Sequence, residues 1–186
     1  SVPLPPLVPP VPLPWDRIDA VCIDLGGVVY LPDHDPMLAA LARLGVTPDP
    51  HDLDRAHYAG AAATDDFSSD HSVWHAYNLA YARAHGVPDE HLDHAREVLL
   101  AAFSAGICQV GPGRGVPVAA VLDSGVVGVA KPDPAMFRLA LDALGTAPER
   151  TLHVGDTPAA DVAGARAAGL HPVLVDPFDH HVHVTD

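Results

Sequence analysis

Two short apolar runs, each stopped by an acid, constrain the fold of this chain more than any other feature. The run IDAVCI (18–23) ends at Asp24, and the run TLHVG (151–155) ends at Asp156. A buried strand gains nothing from a carboxylate at its tip, whereas a site at the carboxyl edge of a parallel sheet does. The sequence therefore predicts an α/β fold in which both acids lie at one edge of a parallel sheet.

The rest of the chain supplies the elements that such a sheet needs. VPVAAVLD (116–123) and HPVLVD (171–176) are predicted strands, and the amphipathic or small-residue segments 134–145 and 158–169 are predicted helices. Short connections between them indicate crossover helices on a parallel sheet. Between residues 35 and 104 apolar residues recur at helical spacing, which predicts an all-helical insertion.

Charge and composition argue against several classes of partner and location. The net charge of -14 disfavours nucleic acid and anionic membrane surfaces. No apolar run approaches the roughly 18 residues that span a bilayer. Two cysteines, Cys22 and Cys108, are too few for a disulfide framework, which predicts a reducing cytoplasm.

Both ends of the chain have biased composition. Residues 1–14 are rich in proline, lack the basic start of a signal peptide and are predicted to form an extended leader, the alternative being a docking arm. Residues 179–186 are rich in histidine and predict a polar tail, with a transition-metal site as the alternative. The expected domains are an α/β core (15–34 plus 105–178) and a helical insertion (35–104).

Three residues of the second half suggest a charged site. Asp161 follows Asp156 by five positions, near the start of a predicted helix, and two carboxylates there can share a hard cation. The alternative for Asp161 is a first-turn acid that complements the helix dipole. Lys131 lies in a turn fixed by prolines, where it could neutralise a bound phosphate, although a solvated lysine is the ordinary reading.

The segments CIDLGGVVY, GVAKPDPAMF and HVGDTPAADVAGARAAG together resemble motifs I, III and IV of the haloacid dehalogenase-like (HAD) hydrolase superfamily. The resemblance implies a Rossmann-like core with an inserted helical cap of the C1 type. It also implies Mg²⁺-dependent hydrolysis of a small phosphate ester. Asp24 would be the nucleophile that forms an aspartyl-phosphate. Lys131 would bind the phosphoryl group and Asp24, and Gly27 would contact the substrate.

The resemblance further implies a set of Mg²⁺ ligands: Asp24, the Gly26 carbonyl, Asp156 and Asp161. Gly26, however, stands where many members of the family have an aspartate that serves as general acid and base. Such a group contributes about 10²–10⁴-fold to the rate. Asp33, His34 or a histidine of the insertion could replace it, and spacing selects none of them.

The family's motif II, a strand ending in Ser or Thr, is not found in its expected place. Compared with the family, the interval is shorter by one βα unit of about 30 residues. Ser124 is a rival for the missing hydroxyl, but its surroundings match the approach to motif III. A core short of one βα unit must pair its strands anew or expose an edge, and a homodimer across the gap is one expected remedy.

Two alternatives to a phosphatase remain open at this point. The chain could be a catalytically impaired relative that binds metal and phosphate without turnover, as Gly26 and the missing motif suggest. It could also be a haloacid dehalogenase. Dehalogenases of this superfamily work without metal, so the acid pair Asp156 and Asp161 disfavours that reading.

Overall fold

The computed structural model describes residues 13–49, 51–64, 72–105 and 118–180. Its centre is a three-stranded parallel sheet in the order β1-β2-β3. The strands are β1 (Ala20–Ile23), β2 (Thr151–Gly155) and β3 (His171–Leu174). β2 is the central and most buried strand, as its apolar sequence between two parallel neighbours requires. The α/β class and the parallel sheet are as predicted.

Seven α-helices accompany the sheet in the described part of the chain. Four lie before residue 106: α1 (His34–Arg43), α2 (Asp52–Ala62), α3 (Ser72–Ala84) and α4 (Leu92–Ala105). Three follow it: α5 (Ser124–Val127), α6 (Pro134–Leu144) and α7 (Gly164–Ala167). A π-helical turn, Pro158–Ala163, leads directly into α7, and 3₁₀ turns occupy Trp15–Arg17, Asp89–His91 and Pro148–Arg150.

Two hydrophobic clusters hold the molecule together. The helices of the insertion pack through large side chains that are almost fully buried, among them Met37, Leu41, Tyr81 and Leu99. The second cluster joins α6 and α7 to the sheet: Phe137, Leu141, Ala165 and Leu170. Each cluster belongs to one of the two regions that the sequence separates, the helical insertion and the α/β core.

Helix α6, which follows Lys131, is bounded by local signals at both ends. Asp133 caps it by accepting a hydrogen bond from the Ala135 amide at 2.8 Å, and Pro134 occupies the first turn. Gly145 ends the helix with a positive φ of 65°, which an L-residue rarely adopts. These local signals account for both ends of α6, which begins three residues after Lys131.

The predicted strand over 116–123 is wrong in its described part. Residues 118–123 are irregular and mostly exposed, and Ser124 begins α5 instead of ending a strand. An apolar run forms a strand only where a neighbour completes its ladder. Among the described residues β1 pairs with β2 alone, so one edge of β1 carries no ladder. Val21 and Ile23 share one face of β1 and are 43% and 51% exposed, so that face is poorly covered, as expected of a core short of one βα unit.

The described residues contain no helix that combines the length and apolarity needed to cross a bilayer. Residues 1–12 of the predicted leader and 181–186 of the predicted tail lie outside the described residues, as does Cys108.

Candidate active site

Asp24 and Asp156 meet at the carboxyl edge of the sheet, as predicted. The amide of Asp24 donates to the Val154 carbonyl at 2.8 Å, which extends the β1–β2 ladder by one residue beyond Ile23. Asp156 follows directly on Gly155, the last residue of β2. Because the two strands are parallel neighbours, both carboxylates leave the sheet on the same side.

Asp161 joins these two acids from the π-helical turn and is 1% exposed. Its Oδ2 accepts hydrogen bonds from the Thr157 amide at 3.0 Å and the Thr157 hydroxyl at 2.6 Å. His153 Nε2 lies 2.9 Å from its Oδ1. Burial alone would raise the pKa of Asp161, but hydrogen bonding from His153 and the charge of Lys131 hold it well below its usual range. Asp161 is therefore a fixed anion.

Lys131 is the cation of the site. Its Nζ lies 3.0 Å from Asp24 Oδ1 and also forms an ion pair with Asp161. Burial would lower the pKa of Lys131, but the two carboxylates outweigh that effect and raise it. The lysine is therefore charged at neutral pH, and the structure brings it to Asp24 as predicted.

The three acids form a ligand set of the kind that a hard cation prefers. One carboxylate oxygen from each of Asp24, Asp156 and Asp161 lies within 4.8 Å of the others. Burial raises the pKa of Asp24, Lys131 opposes that rise, and the neighbouring carboxylates reinforce it. A single lysine thus leaves negative charge uncompensated, and the all-oxygen donor set suits Mg²⁺. The residues present therefore fit the Mg²⁺ that the family resemblance implies.

The loop after β1 places its glycines next to these acids. Gly26 forms an isolated parallel bridge with Tyr30, and the Gly27 amide donates to the Tyr30 carbonyl at 3.0 Å. Gly27 has a φ of 73°, and a Cβ there would lie 2.0 Å from Asp156 Oδ2. The Gly27 amide, in the loop assigned to substrate contact, is thus already used within the loop.

The two glycines provide a matched test of this packing. We expect Gly27→Ala to disrupt the site and to lower the affinity for Mg²⁺, because its Cβ has no room and its backbone is left-handed. Gly26→Ala is the control, since a Cβ at Gly26 meets nothing within 4 Å. Calorimetric titration of both variants with Mg²⁺ measures the difference. Equal affinities in the two variants would contradict the packing described here.

The candidates for replacing the acid that is missing at Gly26 have different surroundings in the structure. Asp33 caps α1 by accepting from the Asp35 amide at 3.2 Å. His34 Nε2 pairs with Asp54 Oδ1 at 2.9 Å. A histidine of the insertion does reach the site: His57 of α2.

An open cavity of about 270 Å³ adjoins Asp24 and Lys131. Its lining includes Ser124, Met136 and Thr157. Ser124, which sequence reasoning set aside as a substitute for the missing hydroxyl, thus lines the same cavity as Asp24.

Sequence reasoning did not assign His153 and Thr157 to the site. Thr157 carries a usable signal, because a Thr directly before a helical turn is a common capping residue. Here its hydroxyl and amide bind the Asp161 carboxylate instead. His153 carries no such signal, since its direction depends on which face of β2 meets the π-helical turn.

Comparison with known proteins finds a family match for one segment of the α/β core. Residues 128–177 match the family model described as HAD-hydrolase-like. This segment contains Lys131, Asp156 and Asp161, while Asp24 lies before it.

Two curated relatives are named as phosphatases. Phosphoserine phosphatase of Thermus thermophilus is 54% identical over 67 residues, which are 36% of this chain and 27% of that protein. Phosphoglycolate phosphatase of Rhodospirillum rubrum is 45% identical over 65 residues, 35% of this chain and 26% of that protein. The chain spans about a quarter of the length of these relatives.

Solved structures also resemble this chain, with lower sequence identity than the two phosphatases. A 2-haloacid dehalogenase from Pseudomonas syringae is 21% identical with a TM-score of 0.40, over 87% of this chain and 88% of that chain.

Proposed function

We propose that this protein is a phosphatase, on the premise that its match to the HAD-hydrolase-like family model over residues 128–177 reflects the same chemistry. It would hydrolyse a small phosphate monoester with Mg²⁺, through an aspartyl-phosphate on Asp24. The observation that carries the proposal is the meeting of Asp24, Asp156, Asp161 and Lys131 at one edge of the sheet. The names of the two phosphatase relatives support a phosphate ester as the substrate class.

The proposed chemistry assigns one task to each charged group of the chain. An Asp24 carboxylate oxygen attacks phosphorus, the bond from phosphorus to the ester oxygen breaks, and water later hydrolyses the aspartyl-phosphate to phosphate and free Asp24. Lys131, 3.0 Å from Asp24, holds the carboxylate in place and offsets the charge of a phosphoryl oxygen. Since Gly26 has no acid, water supplies the proton to the leaving alcohol.

Mg²⁺ would be held by Asp24, Asp156, Asp161 and the Gly26 carbonyl. It would supply the positive charge that lets a carboxylate approach a phosphate. Asp161 is the most firmly held of these residues, because His153 and Thr157 both bind its carboxylate.

Restoring the missing acid tests how the departure at Gly26 limits this chemistry. A Cβ at Gly26 meets no atom within 4 Å, so the backbone accepts a side chain there. We expect Gly26→Asp to raise kcat on an ester with a poor leaving group by about 10-fold or more, since general acid catalysis is worth about 10²–10⁴-fold. Gly26→Asn, which has the shape without the acid, is the control, and an equal rise in both variants would contradict this reason.

The function itself is tested with para-nitrophenyl phosphate, in Mg²⁺ and then in EDTA. The proposal expects turnover that stops in EDTA. Binding of Mg²⁺ and inorganic phosphate without turnover would favour the impaired relative, for which the absent acid at Gly26 and the engaged Gly27 amide are the supporting observations. Release of halide from a halo-acid in the presence of EDTA would favour a dehalogenase.

The setting of the activity is part of the proposal. We place the protein in the cytoplasm, because its two cysteines are too few for a disulfide framework, and we give it a small phosphorylated molecule as substrate. Neither nucleic acid nor a membrane is a proposed partner, because the net charge is -14. The homodimer stays a prediction, which the mass of the protein in solution tests.

A further inference from the structure

Helix α2 of the insertion places two consecutive aromatic side chains on the loop and the acid of the core site. The Tyr58 hydroxyl donates to the Gly27 carbonyl at 2.5 Å. His57 Nε2 lies 3.7 Å from Asp156 Oδ2. Tyr58 and His57 are only 7% and 9% exposed, so both contacts are shielded from water. The insertion therefore touches the site at defined atoms.

His57 Nε2 is a buried polar atom that the site leaves unused. It has no hydrogen-bond partner among the described residues, and its distance from Asp156 is beyond hydrogen-bonding range. A buried N–H without a partner is costly, so its persistence calls for a reason. The acceptor that it faces, at 3.7 Å, is the Asp156 carboxylate.

The two ring nitrogens of His57 face different groups. Nδ1 lies 2.7 Å from the hydroxyl of Tyr77, which belongs to α3, and Nε2 faces the Asp156 carboxylate. A proton on Nε2 points toward the negative Asp156 oxygen, whereas the other tautomer would aim a lone pair at it, so the carboxylate favours the proton on Nε2. In that tautomer Nδ1 accepts a hydrogen bond from the Tyr77 hydroxyl.

Asp161 and Asp156 differ in the side chains that hold them. Asp161 is held by Lys131, His153 and Thr157. The Asp156 oxygen that faces His57 is the same one that a Cβ at Gly27 would meet at 2.0 Å. One side of this carboxylate is thus confined by the Gly27 backbone, and the side toward the insertion faces the His57 imidazole.

We propose that Tyr77 and His57 form a positioning relay that orients the Asp156 carboxylate for metal binding. The insertion then contributes to the Mg²⁺ affinity of the core, beyond any role in covering the substrate. The inference rests on the proposed function, because it assumes that Asp156 is a metal ligand. Partners of this kind orient metal-binding side chains, and their removal typically weakens metal binding by about 10–100-fold.

The test is calorimetric titration of the full chain with Mg²⁺, without substrate. We expect His57→Leu to lose about 10–100-fold in affinity. His57→Gln keeps an N–H donor on a side chain of similar reach and should restore most of the loss. Tyr77→Phe should show a smaller loss, and Tyr81→Phe, which removes another buried hydroxyl of the same cluster, should bind as the wild type does.

The outcomes separate this inference from the proposed function. Wild-type affinity in His57→Leu, or equal losses in the Leu and Gln variants, would overturn the relay and leave the phosphatase proposal intact. If His57→Leu does not fold, as judged by circular dichroism, Tyr77→Phe against Tyr81→Phe decides the matter, and equal affinities in that pair would overturn the relay. A wild-type protein that binds no Mg²⁺ would overturn both proposals.

Discussion

Asp24→Asn should abolish hydrolysis of para-nitrophenyl phosphate, with a fall in kcat on the order of 10⁴-fold or more. The amide is nearly the same shape as the carboxylate, but its oxygen is a far weaker nucleophile toward phosphorus. Asp24 also carries the 3.0 Å contact to Lys131, which an amide cannot match as an ion pair. Because the amide keeps the shape of the carboxylate, we expect the variant to lose turnover while it still folds.

The control for this variant is Asp16→Asn, which removes an exposed carboxylate just before β1. It should leave kcat and KM unchanged. Mg²⁺ affinity should fall only in Asp24→Asn, because Asp24 belongs to the three-acid cluster and Asp16 does not. Turnover by Asp24→Asn close to that of the wild type would mean that another group attacks phosphorus.

Lys131→Met should lower both activity and stability. Loss of the positive group at the reacting phosphate should cost about 10²–10³-fold in kcat. In EDTA the variant leaves two partly or fully buried carboxylates without their cation, and breaking such a pair costs about 3–5 kcal/mol. For a chain of this size that is a fall in Tm of roughly 6–20 °C.

Mg²⁺ should restore part of the stability of Lys131→Met, because a bound cation relieves the same repulsion between carboxylates. Scanning calorimetry in EDTA and then in Mg²⁺ measures this recovery. The control is Arg138→Met, which removes an exposed cation from α6 outside the site. A Lys131→Met protein as stable in EDTA as the control would contradict the charge balance described here.

Much of the site follows from local sequence signals. An acid at the end of a strand, a glycine-rich turn and a lysine before a helix with proline in its first turn each have a local physical cause. Parallel pairing then brings Asp24 and Asp156 together without further information. Helix α6 likewise follows from local signals, since it begins and ends at its capping residues, Asp133 and Gly145.

Contacts between distant segments could not be predicted in this way. His57 reaches Asp156 only because α2 packs against α3 and because Tyr58 holds the Gly27 loop. The predicted strand over 116–123 failed for a related reason. An apolar run indicates burial, but whether it joins a sheet depends on a neighbouring edge that the sequence of the run does not encode.

The most direct test of the account is to look for the phosphoryl group on Asp24 itself. The protein is mixed with para-nitrophenyl phosphate, quenched in acid within milliseconds and digested for mass spectrometry. With Mg²⁺ we predict a phosphoryl adduct on the peptide that contains Asp24, and no adduct in EDTA or in Asp24→Asn. Phosphate release in Mg²⁺ while that peptide stays unmodified at every quench time, or no reaction at all, would contradict the account.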